Sequence, residues 1–312
     1  VQPPFQGAAI NQGSVMGENE MPCQCVKIRE QVHGHKSQLG VHKQRQRHRL
    51  DIEVVPQAEG GGDIGECLIP DPQKRTSVLR VLGVLNVANI QRRCEVVDSI
   101  FVTTGGDALK PFLRPGNRVS FMPNPCDPAV EDQDNSVKDA FRWDVLFCGI
   151  GKPDDPRVAQ VATLKADLSD LRFGVFGMHG KPPLWGVAYD QALADSKMGL
   201  NLNRYEGDYL YSSARISQLM GNGILTFMHS AAGYQRFFSD AQAVFFDDDK
   251  ELQRKLRQFQ NDDAARKEIA RAGRALYQGA FSGQQVAQFI LETTFDQPFS
   301  SAYPWQDQVF RL

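Results

Sequence analysis

Beyond about residue 95, apolar and polar positions follow two alternating periods. Short runs in which most residues are apolar predict buried strands, and these runs lie at 99–104, 118–123, 144–148, 173–177, 198–202, 224–227 and 242–248. Between them, apolar residues recur at helical spacing and predict helices at 107–113, 156–168, 186–197, 212–220, 249–260, 263–280 and 283–295. Strands that alternate with helices are typical of a parallel sheet covered by helices. The pattern therefore predicts the α/β class, with a doubly wound domain at 143–295.

The segment 196–227 is the most informative part of the chain. It reads as a buried strand, a polar loop, a helix, a Gly-Asn-Gly stop and a second strand, which together predict a βαβ crossover between parallel strands. Its loops hold the polar residues Asn203, Arg204 and Arg215, beyond the carboxyl ends of the strands, where open α/β sheets bind ligands. Such a site suits an anionic ligand, for example a nucleotide diphosphate.

The sequence before residue 95 differs from the rest of the chain: it is rich in Gln, Gly, His and Arg and shows little helical or strand periodicity. Only 78–90 fits an element, either one strand or a short helix. We therefore predict that 1–95 is an irregular segment, either disordered or aberrant. The proline-rich, acidic residues 129–142 predict a linker, and 296–312 a C-terminal tail.

Composition narrows the class of protein. The chain has 312 residues, 41% hydrophobic and 23% charged, and a formal net charge of -2, which gives no general attraction to nucleic acid. No apolar run approaches the roughly 20 residues that span a bilayer, and the start lacks the pattern of a secretory signal. The spacing of the six cysteines is not that of a disulfide scaffold. We expect a cytoplasmic protein with no nucleic-acid partner and no transmembrane segment.

A glycine turn is the first candidate site. Gly149, Gly151 and Lys152 follow a buried strand and precede a helix, where backbone can approach an anion at a helix N-terminus. The alternative is a tight turn whose glycines need positive φ.

Two arginines flank the crossover loop. The guanidinium groups of Arg204 and Arg215 can grip phosphate oxygens, or they can pair on the surface with Glu206 or Asp208. Gly223 either helps to end the helix or lets a strand edge lie under a sugar.

Other residues offer weaker candidates. His179 lies in a glycine- and proline-rich loop and either orients a hydroxyl or is simply solvated, while Lys181 and Trp185 of that loop could contact a base. A zinc site at Cys23, Cys25, His33 and His35 is disfavoured by the C-x-C spacing. The basic run 43–49 has no interleaved aromatic residues, which favours a solvated stretch.

Several longer motifs stand in order along about 99–295. They are SFMPNPCD, DVLFCGIG, YDQALADSKMGLNLNR, ARISQLMGNGILTF and the closing helices from AARKEIARAGRALYQGA onward. Together they resemble the bacterial GT-B glycosyltransferases, particularly the spore-maturation-protein-like (CgeB-type) set of "glycosyl transferases group 1".

The resemblance implies two Rossmann-like domains, the C-terminal one binding a nucleotide-sugar donor and the N-terminal one a glycan or other acceptor. Of the N-terminal domain, 96–128 would be a remnant, so the expected fold is GT-B-like with an incomplete or irregular N-terminal domain. The implied activity is glycosyl transfer without a bound metal or other cofactor. Where the family block has a glutamate that holds donor hydroxyls, this chain has Gln218.

Two alternatives remain open beside an active transferase. One is a truncated relative that binds the donor without turnover. The more distant one is a sugar-nucleotide epimerase of the same architecture.

Overall fold

The structure is a computed structural model that describes residues 64–68, 77–81, 91, 94, 97–204 and 208–312, the first two ranges as backbone only. Within these residues the strands form two five-stranded sheets. The disfavoured zinc ligands Cys23, Cys25, His33 and His35 and the basic run 43–49 lie outside the described residues.

The first sheet has the strand order β1-β2-β3-β4-β10. Its strands are β1 (Ile64–Leu68), β2 (Ser77–Val81), β3 (Ser99–Val102), β4 (Arg118–Phe121) and β10 (Val309–Phe310). The central strands β2, β3 and β4 are parallel, whereas β1 and β10 join the two edges antiparallel. The strand β1 lies where the sequence predicted no element, because its IGECL run has neither strong alternation nor strong apolarity.

The second sheet is parallel throughout, in the order β6-β5-β7-β8-β9. Its strands are β5 (Trp143–Cys148), β6 (Phe173–Phe176), β7 (Ser196–Asn201), β8 (Leu225–His229) and β9 (Val244–Phe246). The helices are α1 (Pro156–Asp167), α2 (Val187–Ala194), α3 (Ala214–Gly221), α4 (Asp249–Asn261), α5 (Asp263–Ala280) and α6 (Gly283–Thr294). The predicted doubly wound parallel sheet is confirmed.

The predicted crossover is also confirmed, since β7, α3 and β8 form a βαβ unit with parallel register Met198↔Leu225. The helix predicted at 186–197 ends earlier, at Ala194, because Ser196 and Lys197 already belong to β7. The helix predicted at 107–113 is a 3-10 helix over Gly106–Phe112 with a proline inside it. Proline removes a backbone donor, which disfavours a regular α-helix there.

Residues 129–142, predicted as a linker, hold one short 3-10 turn at Asn135–Val137. The Asn135 amide donates to the carbonyls of Leu193 and Ser196, and the buried Arg266 donates back to the Asn135 carbonyl. This segment is therefore fixed against the amino end of β7.

The segment 296–312, predicted as a tail, packs between elements rather than hanging free. Trp305 and Tyr303 are fully buried, and they join a core cluster that contains residues of β3 and β4 together with α3, α5 and α6. The strand β10 then pairs with β4. The last residues of the chain thus connect the first sheet to helices of the second.

Glu292 on α6 anchors this segment. Its buried carboxylate accepts hydrogen bonds from the Ser300 amide, the Gln288 side chain and the Tyr303 hydroxyl. Burial alone would raise the pKa of Glu292, but these bonds lower it from 4.5 to about 2. Because the folded pKa is depressed, its contribution to stability is present above about pH 4.5 and is lost as the pH falls toward 2.

We therefore expect Glu292→Gln to lower the free energy of unfolding at pH 7 by on the order of 1–3 kcal/mol, since buried donors lose a charged acceptor. The variant should also lose stability less steeply between pH 5 and 3 than the parent does. Urea unfolding across this pH range measures both effects. The matched control is Glu268→Gln, on the exposed side of α5, and an equal effect of the two substitutions would contradict the prediction.

Candidate functional site

The strand order of the second sheet creates one crevice. The chain leaves β5 toward β6 on one side, whereas it leaves β7 toward β8 on the other. The carboxyl ends of these two neighbouring strands are therefore the switch point at which ligands of doubly wound sheets bind. The residues that follow β5 and β7 include Gly149, Gly151 and Arg204, so the structure brings these predicted candidates to one edge.

Arg215, in the first turn of α3, spans the switch point. Its guanidinium donates from Nε to the Cys148 carbonyl, 2.9 Å, and from Nη1 to the Asn201 side chain and the Leu202 carbonyl, both 3.1 Å. The group also lies over the Phe147 ring, 4.8 Å from its centroid. These contacts fix the cation between the ends of β5 and β7.

No carboxylate of the described residues forms an ion pair with Arg215, and its Nη2 has no acceptor among them. Burial lowers the pKa of the Arg215 guanidinium, and the nearby Arg157 lowers it further. A guanidinium nevertheless stays protonated in proteins. The site therefore holds a fixed cation whose remaining N–H groups are available to an anion.

A second group of charges, missed in the sequence, centres on Asp155. This buried carboxylate caps α1 and makes a two-bond contact with Arg157, at 2.9 and 2.6 Å, and a 3.3 Å contact with Arg204. Burial would raise the pKa of Asp155, but its bonds to Arg157 hold it below its ordinary value. The signal was present in the sequence, because an aspartate before Pro156 is a helix N-cap pattern.

This cluster changes the view of Arg204. Its partner here is Asp155, and its Nη2 also donates to the Ile150 carbonyl at 3.3 Å. The Arg204 side chain keeps 42% of its surface exposed. Arg157 and Arg204 thus share the Asp155 carboxylate, and Arg215 lies near Arg157 without contacting Asp155. These four groups together carry a net positive charge.

The glycine turn has a different role from the one predicted. The amides of Gly149 and Gly151 already donate to the carbonyls of Phe176 and Gly177, so neither amide is free to bind an anion. The start of α1 is likewise occupied, because the Asp155 side chain caps it. Neither glycine has positive φ. A side chain at Gly149 would instead lie 3.1 Å from the Phe147 ring and 3.5 Å from Arg215 Nη2. Gly149 therefore keeps space beside the Arg215 guanidinium.

The start of α3 has an unfilled end. Its N-cap residue, Ser213, makes no capping bond, and its hydroxyl instead donates to Asn201 Oδ1 at 2.8 Å. A helix N-terminus without a side-chain cap attracts negative charge. Arg215 and the α3 amides thus favour an anion at the same place.

Gln218 lies one turn after Arg215 on α3. Its Oε1 accepts a 2.8 Å hydrogen bond from the Tyr189 hydroxyl of α2. Burial raises the pKa of Tyr189, so this hydroxyl stays protonated. Cys148 is nearby, and burial raises the pKa of its thiol to about 12, which leaves it uncharged at neutral pH.

The remaining predicted residues fall in three places. His179, Lys181 and Trp185 lie in the exposed loop after β6, with Trp185 60% exposed and the Lys181 ammonium 5.5 Å from the Phe176 ring centroid. Lys152 is exposed in the turn after β5. Gly223 does not join them: it precedes β8, at the opposite edge of the sheet, where its φ is +66° and a side chain would meet Asp134.

A cavity of about 540 Å³ adjoins Arg204 on the α1 and α4 side of the sheet. Its polar lining includes Asn203, His229, Asp247 and Asp248. The Asn203 Oδ1 atom is buried and has no partner among the described residues. Asn203 was recognised from the sequence. His229, the last residue of β8, and the aspartates that follow β9 were not, although they are polar residues at strand ends.

Asp208 is another residue that sequence reasoning did not assign to the site. It belongs to the loop between β7 and α3, and burial raises the pKa of its carboxyl. The following residues join both sheets: the Gly105 amide donates to the Tyr209 carbonyl and the Ser212 amide to the Thr103 carbonyl. Asp208 thus lies where the end of β3 meets the crossover loop.

The described residues contain neither a metal-binding cluster nor a membrane-spanning helix. No cluster of three or more His, Cys, Asp or Glu could hold a metal ion there. In the same part of the chain, no helix combines the length and apolarity that crossing a membrane requires.

Comparison with known proteins agrees with the fold. Residues 157–292 match the family model described as "Glycosyl transferase-like". HepE of Anabaena, solved with UDP and glucose, is 12% identical with a TM-score of 0.53, and the match covers 69% of this chain and 70% of HepE. An alpha-glucosyltransferase solved with UDP-glucose and DNA containing an abasic site is 11% identical with a TM-score of 0.51, over 70% and 71% of the two chains.

These matches confirm the predicted GT-B-like fold and the predicted resemblance to GT-B glycosyltransferases. The chain spans 45% of the length of TarM, another structure that it matches, at 12% identity with a TM-score of 0.49 over 67% of this chain. No curated protein sequence matches the chain.

Proposed function

We propose that the protein transfers a sugar from a nucleotide-sugar donor to a glycan or other acceptor. One observation carries this proposal: the Arg215 guanidinium is fixed at the switch point, and within residues 97–204 and 208–312 it has no carboxylate partner and its Nη2 has no acceptor. A diphosphate has the charge and the oxygen geometry that a guanidinium binds best. The donor-binding set consists of Arg215 and Arg204, with Arg157 behind them and Lys152 at the rim.

The chemistry follows from the charge that the reaction creates. When the bond between the sugar and the diphosphate breaks, negative charge grows on the leaving nucleoside diphosphate. Cations held in place before the reaction stabilise that charge without having to reorganise. Arg215 is held in this way by its bonds to Cys148, Asn201 and Leu202. We propose that these cations act in place of a metal ion, and that no other cofactor takes part.

The finer assignment rests on the motifs and on similar structures. The ordered motifs of 99–295 resemble the CgeB-type bacterial set. On this resemblance we propose a bacterial surface or secreted glycan as the acceptor of this protein. HepE was solved with UDP, and the alpha-glucosyltransferase with UDP-glucose, which supports a nucleotide sugar as the donor class. In the loop after β6, Lys181 and Trp185 are the proposed contacts for the base, and His179 is the candidate for proton transfer.

A second candidate function is donor binding without turnover. One observation favours it: the carboxylate among the arginines, Asp155, is bonded to Arg157 and Arg204 and cannot serve as a base. If the protein does turn over, we propose Asp208 as a second acid–base candidate beside His179, because it lies in the crossover loop next to the end of β3 and burial raises the pKa of its carboxyl. Measuring the release of nucleoside diphosphate from a nucleotide sugar distinguishes the two functions, because only a transferase releases it. If the protein releases it, Asp208→Asn should abolish the release and retain nucleotide binding.

The test of donor binding is a thermal-shift screen against UDP, GDP, ADP, CMP and dTDP. A ligand that binds only the folded state raises the free energy of unfolding by mass action, by about 2.7 kcal/mol at a concentration of 100 Kd. The melting temperature rises accordingly. We expect one or two of the diphosphates to raise the melting temperature. CMP should raise it less, because it lacks the second phosphate that would bind the arginines. No shift with any of the five would overturn both functions.

A further inference from the structure

Gln218 determines whether the site beside Arg215 offers a ligand a hydrogen-bond donor or an acceptor. Both residues belong to α3, and residues three apart on a helix lie about 5–6 Å from each other. A ligand that contacts Arg215 is therefore within reach of Gln218. What the Gln218 amide offers depends on which of its two ends faces outward, because one end accepts hydrogen bonds and the other donates them.

Tyr189 contacts the accepting end of this amide. Its hydroxyl donates to Gln218 Oε1 at 2.8 Å, and its ring packs in a small apolar cluster with Leu146, Leu219 and Cys148. The Gln218 nitrogen, by contrast, has no acceptor among residues 97–204 and 208–312, and it is not among the fully buried unpaired atoms. The oxygen is thus occupied by the protein, and the N–H groups are left for a ligand.

We propose that Tyr189 is a positioning residue that holds the Gln218 amide as a hydrogen-bond donor, so that Gln218 and Arg215 contact one anionic group together. The inference rests on the proposed function and makes it more specific. The group beside Gln218 is a phosphate oxygen of the nucleoside diphosphate, which only accepts hydrogen bonds. A sugar hydroxyl could also accept from these N–H groups, but it carries no negative charge for the Arg215 guanidinium to bind.

Gln218→Glu tests the polarity, because it keeps the shape and keeps an oxygen for Tyr189 but replaces the donor end with a charged acceptor. By isothermal titration calorimetry, we expect UDP to bind at least about tenfold more weakly, while uridine, which has no phosphate, binds as before. The loss should shrink as the pH is lowered toward 5, where the new carboxyl begins to protonate. The matched control is Gln191→Glu, which adds the same charge on the exposed side of α2.

Tyr189→Phe tests the positioning. Without the hydroxyl the amide can turn over, so we expect UDP affinity to fall about three- to tenfold in the parent protein. In the Gln218→Glu background the same change should have little effect, because both ends of a carboxylate accept. A merely structural role of Tyr189 would lower UDP affinity by the same factor in both backgrounds, and that result would overturn the proposal.

The failures are distinguishable. Tighter or unchanged UDP binding by Gln218→Glu, in a parent protein that binds UDP, overturns the donor role of Gln218 alone. If UDP does not raise the melting temperature of the parent protein, the diphosphate that gives the largest shift in the screen is used as the probe instead. A parent protein that binds none of the diphosphates overturns the proposed function and this inference together.

Discussion

Replacing Arg215 with alanine is expected to weaken nucleoside diphosphate binding by about ten- to a hundredfold, on the order of 1.5–3 kcal/mol, the contribution of charge-assisted hydrogen bonds. The effect should be large because no carboxylate of the described residues neutralises this guanidinium, and because its Nη2 has no other acceptor there. Isothermal titration calorimetry with the diphosphate that gives the largest thermal shift measures it.

Two further variants make this result interpretable. Arg215→Lys keeps the charge but loses the planar fork, so an intermediate loss of affinity is expected. Arg254→Ala removes an exposed arginine of α4 and should leave affinity unchanged. Because Arg215 also bonds to β5 and β7, urea unfolding must show that the alanine variant is folded. Diphosphate affinity equal to that of the parent would remove Arg215 from the site.

The second large effect concerns stability. Trp305→Ala is expected to lower the free energy of unfolding by about 3–5 kcal/mol, the usual cost of deleting a large buried aromatic side chain. Trp305 is 0% exposed, and its ring centroid lies 5.2 Å from that of Phe281 and 5.6 Å from that of Phe289. The vacated space would lie between the first sheet and α6.

Urea denaturation at neutral pH measures this loss. Trp305→Phe should cost far less, since a smaller ring still fills most of the space and the indole nitrogen has no partner among the described residues. Trp185→Ala is the matched control, because that side chain is 60% exposed. Equal losses at positions 305 and 185 would mean that the terminal segment does not stabilise the fold.

Local patterns explain most of what could be predicted. The helix expected at 263–280 is observed over Asp263–Ala280, because its apolar spacing and the Asp262 cap are encoded within the segment. The second sheet followed from strand and helix alternation for the same reason. The joining of β10 to β4 was not predictable, because the pairing partners are about 190 residues apart and the strand itself has two residues.

The candidate site shows the same division. Arg204 was recognisable because polar residues at the ends of buried strands stand out in sequence, and Arg215 because it lies at the start of the crossover helix. The bonds that occupy the amides of Gly149 and Gly151 were not recognisable, since their acceptors belong to the neighbouring strand β6 and the loop after it. The Tyr189–Gln218 contact joins two helices and likewise depends on tertiary packing.

The crossover loop that joins the two sheets has a consequence for binding affinity. Its residues 208–212 are tied by backbone hydrogen bonds to Thr103 and Gly105 on one side and, from the Leu210 amide, to the Ala232 carbonyl on the other. Fixing backbone and long side chains costs conformational entropy, about 1–2 kcal/mol for each residue. Here the loop and Arg215 lose that freedom when the chain folds. An incoming ligand therefore meets an arginine whose ordering no longer subtracts from the free energy of binding.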